Sequence, residues 1–172
     1  STPVSHVTAS RVTAGGVVLD PSGISIPTAD GVWSLSGIAS NGQGFLLGWT
    51  RWQGFRRQAR ATFLGLDGAL GVTLDLPNDP TTIMSYGVAV ASSGTDYFAA
   101  WTGLRDFSSV AVLSGARISS ATSTALSPAP LRLSTTTDAE RRTVVAAAGD
   151  RYVVAWSDDQ ADSSVVRAVR IS

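Results

Sequence analysis

Short runs in which apolar and polar residues alternate fill most of the chain, and clusters of Gly, Pro, Asn, Asp and Ser separate them. A two-residue period is typical of β-strands, and no stretch keeps the 3.6-residue period of an amphipathic helix. The pattern therefore predicts an all-β fold. In the clearest stretch it predicts four successive strands, which we call a to d, over residues 34–40, 44–50, 57–64 and 71–76.

One strand pattern occurs three times along the chain and reads A-x-x-G-x-x-[FY]-x-x-x-W-[ST]. Its copies occupy residues 39–50, 91–102 and 146–157. Self-similarity of this kind indicates a repeat architecture. The glycine that follows Asn41 predicts a tight hairpin between strands a and b, because glycine tolerates the positive φ of such turns. Gly94 and Gly149 occupy the equivalent places.

Strand b is largely apolar on both faces in each copy. In the first copy Phe45, Leu47 and Trp49 lie on one face, and Leu46 and Gly48 lie on the other. A strand that is covered on both sides belongs inside a stack of sheets. We therefore predict radially packed, four-stranded antiparallel sheets. The tryptophans that end strand b are expected to be packing residues: Trp49, Trp101 and Trp156.

The repeats form a single repeat domain of three units, 32–79, 83–137 and 140–172, preceded by a partial unit, 3–28. Counted in strands, the chain reads c-d, a-b-c-d, a-b-c-d and a-b-c. Because strand c is present at both ends, this count does not close a ring. Unpaired strand edges are a liability for a soluble protein. We therefore predict that another chain or a second copy completes the assembly.

A second marker, an arginine between small or apolar residues, recurs at Arg11, Arg60, Arg117 and Arg170. With the tryptophan pattern, it resembles the repeats of bacterial secreted β-propeller proteins, and this resemblance covers nearly the whole chain. It implies a propeller-like fold of about three four-stranded antiparallel blades plus a partial blade, which would form part of a larger ring. It also implies a secreted, extracellular protein of bacterial origin. A β-trefoil and a sandwich are the alternative folds.

Composition narrows the classes of function. The chain has 172 residues, 44% of them hydrophobic, and 13 arginines balance 13 acidic residues. A net charge of zero does not favour binding to nucleic acid or to an anionic membrane. The absence of cysteine excludes disulfides, thiolate metal sites and a cysteine nucleophile. No apolar run reaches the length of a membrane-spanning helix.

The connections between strands b and c vary in length and charge, and variable loops on a rigid scaffold are typical binding surfaces. The first connection, RWQGFRRQ, combines aromatic and cationic side chains that the repeat pattern does not require. Stacking on a sugar ring or on a partner's side chain is one interpretation, and packing between units or with a partner chain is the other. The candidate ligand-binding residues are Arg51, Trp52, Phe55, Arg56, Arg57, Arg105 and Asp106.

Three carboxylates lie close together in the third b–c connection, at Asp158, Asp159 and Asp162. Clustered oxygen ligands can hold calcium, although the residue order of a known calcium loop is absent. A solvated acidic loop is the alternative. We predict no other cofactor.

These observations favour a non-catalytic binding or adhesion module that presents its loops to a glycan or to a protein. One alternative is a structural or accessory segment that completes a larger assembly. Another is part of a propeller hydrolase whose catalytic residues lie on another chain. His6 is the only histidine and Glu140 the only glutamate, so no catalytic pair is evident on this chain alone.

Overall fold

The structure, a computed structural model, describes residues 7–28, 31–105, 111–134, 139–160 and 163–172. The described residues form strands and no helix, which confirms the all-β prediction. They therefore contain no helix that could cross a membrane. The first half of the chain contains β1 Val7–Ala9, β2 Ile24–Ile26, β3 Val32–Ser40, β4 Gly44–Gln53, β5 Arg56–Gly65, β6 Leu70–Asp75 and β7 Thr82–Ser92. The second half contains β8 Asp96–Arg105, β9 Ala111–Ser119, β10 Thr124–Ala125, β11 Leu131–Arg132, β12 Ala139–Ala148, β13 Arg151–Gln160 and β14 Ser163–Ile171.

The four strands predicted for the first unit correspond to β3 to β6, with ends that differ by three residues or fewer. The predicted hairpin glycines are confirmed as well. Gly42, Gly94 and Gly149 have φ values of 83°, 94° and 59°, a region that is costly for residues with a Cβ atom. A serine side chain also stabilises each of the first two turns, because the Oγ atoms of Ser40 and Ser92 accept hydrogen bonds from the N–H groups of Gly42 and Gly94.

The strand pairing groups most of the described strands into antiparallel sets that follow chain order. Strands β3, β4, β5 and β6 pair antiparallel in chain order. Strands β7, β8 and β9 do the same, and both β10 and β11 pair with β9. One parallel bridge, Arg57 with Met84, joins these two units into a nine-stranded sheet. Strands β12, β13 and β14 form a separate antiparallel sheet, and β1 pairs with β2.

Successive units pack face to face through three apolar clusters. The first cluster joins β1 and β2 to the face of β4 that carries Leu47. The second joins the opposite face, which carries Leu46, to the face of β8 that carries Tyr97 and Trp101. The third joins the other face of β8 to the face of β13 that carries Tyr152. Strands β4 and β8 are thus covered on both faces, whereas these clusters cover one face of β13.

The repeated tryptophans are buried, as expected of packing residues, and Trp101 and Trp156 belong to the second and third clusters. Trp49 and Trp101 are fully buried and Trp156 is nearly so. Burial of an aromatic side chain of this size contributes substantially to a core. The indole Nε1 of Trp49 also donates a hydrogen bond of 2.9 Å to Thr62 Oγ1.

A hydrogen bond between units recurs at the aromatic position of the repeat. The hydroxyl of Tyr97 donates to the carbonyl of Gly44 (3.3 Å), and the hydroxyl of Tyr152 donates to the carbonyl of Asp96 (3.1 Å). Both acceptors are the first residue of strand b in the preceding unit. Phe45 has no hydroxyl, and of the preceding partial unit the described residues pack β1 and β2 near it. The choice between Tyr and Phe therefore follows the surroundings of each copy.

Strand a is irregular beside the tryptophan in every unit. Its register with strand b shifts between Leu35 and Gly37, between Tyr86 and Ala89, and between Arg141 and Val144. Two equivalent residues at these bulges have positive φ, Gly87 at 56° and Arg142 at 50°. Such bulges re-aim a strand locally.

The second marker is not equivalent in all units. Strand pairing places Arg60 opposite Trp49, whereas Arg117 lies opposite Phe98 and Arg170 opposite Val153, each three residues before the tryptophan. The first copy is thus out of step with the other two. Spacing along the chain could not show this, because the b–c connections differ in length.

The described residues form no closed barrel or propeller. Stacked antiparallel sheets are what the structure establishes, and the ring arrangement stays a prediction.

Candidate functional site

The tip of the β4–β5 hairpin is the most exposed part of the predicted binding loop. Gln53 pairs with Arg56, so Gly54 and Phe55 form a two-residue turn, and Gly54 has a φ of 60°. Positive φ at the turn explains why a glycine stands there. The Phe55 side chain is 88% exposed, and Arg56 beside it is also exposed. A large aromatic ring is unusual in a tight turn, where Gly, Asn and Asp predominate.

Arg57 points inward, although it was predicted with the ligand-binding residues. It is 4% exposed, and its guanidinium lies 4.6 Å from the ring centroid of Trp52 and 4.3 Å from that of Tyr86. Burial lowers the pKa of Arg57 from its ordinary value. A guanidinium over two aromatic rings stabilises the base of the hairpin by cation–π interaction. This position makes Arg57 a supporting residue for the tip.

Trp52 takes part in the same stack and is only partly exposed. One contact surface of its ring is occupied by Arg57. Tyr86 completes the support from the neighbouring unit, and its hydroxyl donates to the sulfur of Met84 (3.0 Å). We call Trp52, Arg57 and Tyr86 the hairpin stack.

Arg51 is held by polar neighbours on its own sheet. Its guanidinium donates hydrogen bonds of 3.2 Å to the side-chain oxygens of Gln53 and Gln58 and lies 3.7 Å from an oxygen of Asp75. Asp75 also pairs with Arg60 at 2.5 Å. Arg51 is therefore anchored along the sheet, whereas Arg56 extends from the tip.

Arg105 lies at the same end of the sheets as the hairpin, since Met84 pairs with both Arg57 and Leu104. Its guanidinium forms a 2.7 Å ion pair with Asp79. Hydrogen bonds from Thr81, with Arg105 nearby, lower the pKa of Asp79. This pairing fixes the connection between β6 and β7. Asp106 lies outside the described residues.

A groove that the sequence analysis did not predict lies beside this ion pair. Its volume is about 390 Å³. It lies between the β6–β7 connection and the segment around β11. The lining residues are Asn78, Asp79, Pro80, Val112, Ser114, Pro128, Ala129, Pro130 and Arg132. The only sequence signal for it was the pair of prolines before β11, which disfavours a regular strand there.

Asp158 of the predicted calcium cluster is fully buried and forms an ion pair with Arg167. The side chain of Asp159 and all of Asp162 lie outside what the structure describes. Among the described side chains, no three His, Cys, Asp or Glu residues are placed to hold a metal ion. Calcium binding therefore stays a prediction.

No protein-family model matches the chain, and no curated protein matches it. The resemblance to secreted propeller proteins rests on the repeat residues themselves.

Proposed function

We propose that the chain is a non-catalytic, secreted binding module: a propeller-like stack of sheets that presents the β4–β5 hairpin to a protein partner. The observation that carries this proposal is the exposed Phe55 on a turn whose base is fixed by the hairpin stack. An aromatic anchor on a rigid support loses little conformational entropy on binding. Arg56 adds an exposed cation at the rim of the contact.

The shape of the site favours a protein over a glycan. Phe55 projects from a hairpin tip, so its partner must supply the concave surface. Trp52, the ring suited to sugar stacking, is already in contact with Arg57. A partner pocket lined with apolar side chains and bordered by carboxylates would complement Phe55 and Arg56. Completion of a ring by another chain is a compatible part of this proposal.

A peptide library displayed on phage provides the test. Peptides are selected on the natural chain and then assayed against Phe55→Ala, Arg56→Ala and the control Gln53→Ala, which changes an exposed neighbour. We expect selected peptides to carry apolar and acidic residues and to lose at least about tenfold in affinity against Phe55→Ala, as for a buried aromatic anchor. Peptides that bind all four proteins equally would contradict the proposal. Glycan-array binding that depends on Phe55 and Arg56 would favour a glycan ligand.

Trp52→Ala is a poor probe of ligand contact because it removes the hairpin stack. We expect it to reduce binding through the shape of the hairpin. Far-UV circular dichroism and urea denaturation of this variant distinguish loss of support from loss of contact.

A further inference from the structure

The outer face of the β12–β13–β14 sheet carries apolar residues that nothing covers within the described residues. Cross-strand pairing places five of them there, which we call the open face: Val144, Val153, Ala155, Val166 and Ala168. Arg170, opposite Val153, and Ser157, opposite Val166, lie on the same side of the sheet. Val153 is 44% exposed, Val144 61% and Val166 80%. The opposite face, which carries Tyr152 and Trp156, is buried against the preceding unit.

The equivalent residues of the other two units are buried. Leu46 and Phe98 correspond to Val153, since all three lie three residues before the tryptophan, and both are fully buried. By strand register, Ala59 and Leu113 correspond to Val166, and both are buried to within 1%. In each case the cover is the next unit along the chain. The equivalent faces of the two earlier units are thus both covered by a following unit, whereas the open face is not covered by any described residue.

The two occupied faces show what chemistry covers such a surface. The covering strand b presents an aromatic residue, a small or branched apolar residue and a tryptophan at alternate positions: Tyr97, Ala99 and Trp101 in one case, Tyr152, Val154 and Trp156 in the other. Its tyrosine hydroxyl donates to the carbonyl at the start of the covered strand b. In the last sheet that position is Arg151, the first residue of β13.

We propose that the open face binds one further unit of the same repeat type. The strand b of this unit packs its aromatic, apolar and tryptophan residues on Val153 and Val166, and its tyrosine hydroxyl donates to the carbonyl of Arg151. This inference concerns a different surface from the β4–β5 hairpin and does not rest on the binding proposed there.

A second copy of residues 1–172 does not offer such a face ready for binding. The aromatic and tryptophan faces of β8 and β13 are buried against a preceding unit, and the equivalent face of β4 packs on β1 and β2 through Leu47 and Phe45. A second copy would have to expose one of them first. The favoured occupant is therefore a unit whose strand b is not already covered.

The absence of cysteine in the chain permits a direct test by thiol labelling. Val166→Cys is prepared in the natural chain and in two extended chains, which carry after Ser172 a copy of residues 80–137 or of residues 140–172. Reaction with a soluble disulfide reagent measures exposure of the thiol. Phe55→Cys is the exposed control, and Ala59→Cys, at the covered equivalent position, is the buried control.

We expect Val166→Cys to react as fast as Phe55→Cys in the natural chain. In at least one extended chain the thiol is expected to react at least about tenfold more slowly, because labelling must then wait for local opening of the covered face. Replacing the appended tryptophan with Asp is expected to restore fast labelling. Equally fast labelling of Val166→Cys in all three proteins would overturn the proposal. So would labelling that slows in the natural chain as it forms dimers, because the occupant would then be a second copy.

Discussion

The hydroxyls of Tyr97 and Tyr152 link successive units, so removing them tests the stacking of the sheets. Each bond runs from a buried aromatic ring to a backbone carbonyl of the preceding unit. The carbonyls keep other donors when the hydroxyl is lost: Ser40 Oγ for Gly44 and the Ser93 N–H for Asp96. The cost of Tyr→Phe is therefore the net value of one hydrogen bond, without the penalty for an unsatisfied buried acceptor.

We expect Tyr97→Phe and Tyr152→Phe each to lower the free energy of unfolding by about 0.5–1.5 kcal/mol, or about 1–6 °C in Tm. The two sites share no hydrogen-bond partner, so the double variant is expected to lose the sum. Urea denaturation followed by tryptophan fluorescence measures the change. Phe45→Tyr is the matched control, and it is expected to gain nothing because the described residues that precede β3 contain no strand b to supply the carbonyl.

The reasoning would be refuted if the double variant unfolded at the same urea concentration as the natural chain. It would also fail if Phe45→Tyr stabilised the protein as much as the two natural tyrosines do. Either result would mean that the hydroxyls do not form bonds between units.

Three further predictions concern single positions. Gly48→Ala places a Cβ 2.7 Å from Val88 Cγ1 and 2.8 Å from the Val88 carbonyl oxygen, so we expect a loss of about 1–3 kcal/mol in urea denaturation; a variant as stable as the natural chain would contradict this close packing. Because Gly87 and Arg142 both have positive φ, Arg142→Gly is expected to raise the free energy of unfolding by about 1 kcal/mol and Gly87→Ala to lower it by about the same amount. If both substitutions changed stability in the same direction, the two bulges would not be equivalent. Asp20 accepts hydrogen bonds from the guanidinium and the backbone N–H of Arg11, and these lower the pKa of Asp20 to about 2. The stabilisation that this ion pair gives is therefore complete above about pH 4 and is lost as the pH falls towards 2. Asp20→Asn should remove that part of the acid dependence measured by thermal denaturation, and an unchanged profile would exclude the assignment.

Much of the fold followed from local pattern. The alternation around Leu46 and Leu47 predicted a strand covered on both faces, and the clusters on its two sides confirm this. The hairpin glycines were also predictable, because positive φ restricts the choice of residue at a single position. Period and turn chemistry are short-range properties, and the sequence displays them directly.

The site was predicted less completely, because side-chain direction depends on contacts that are distant in sequence. Arg56 and Arg57 look alike in the chain, yet one is exposed and the other is buried against Tyr86 of the next unit. No local pattern distinguishes them. The hydrogen bond of the Tyr97 hydroxyl could not be predicted for the same reason, because its acceptor lies in another unit. Alternation along β5 places consecutive residues on opposite faces of the sheet, but it does not show which face packs against another unit.

The central claim is that successive repeat sheets pack face to face, and aromatic NOEs test it most directly. The rings of Phe63 and Tyr97 lie 5.9 Å apart, and those of Phe98 and Tyr152 lie 5.2 Å apart, each pair joining two successive units. In a protein with labelled Phe and Tyr, a NOESY spectrum is expected to contain cross-peaks for both pairs. A folded protein whose spectrum lacks both cross-peaks would contradict the stacking of the sheets.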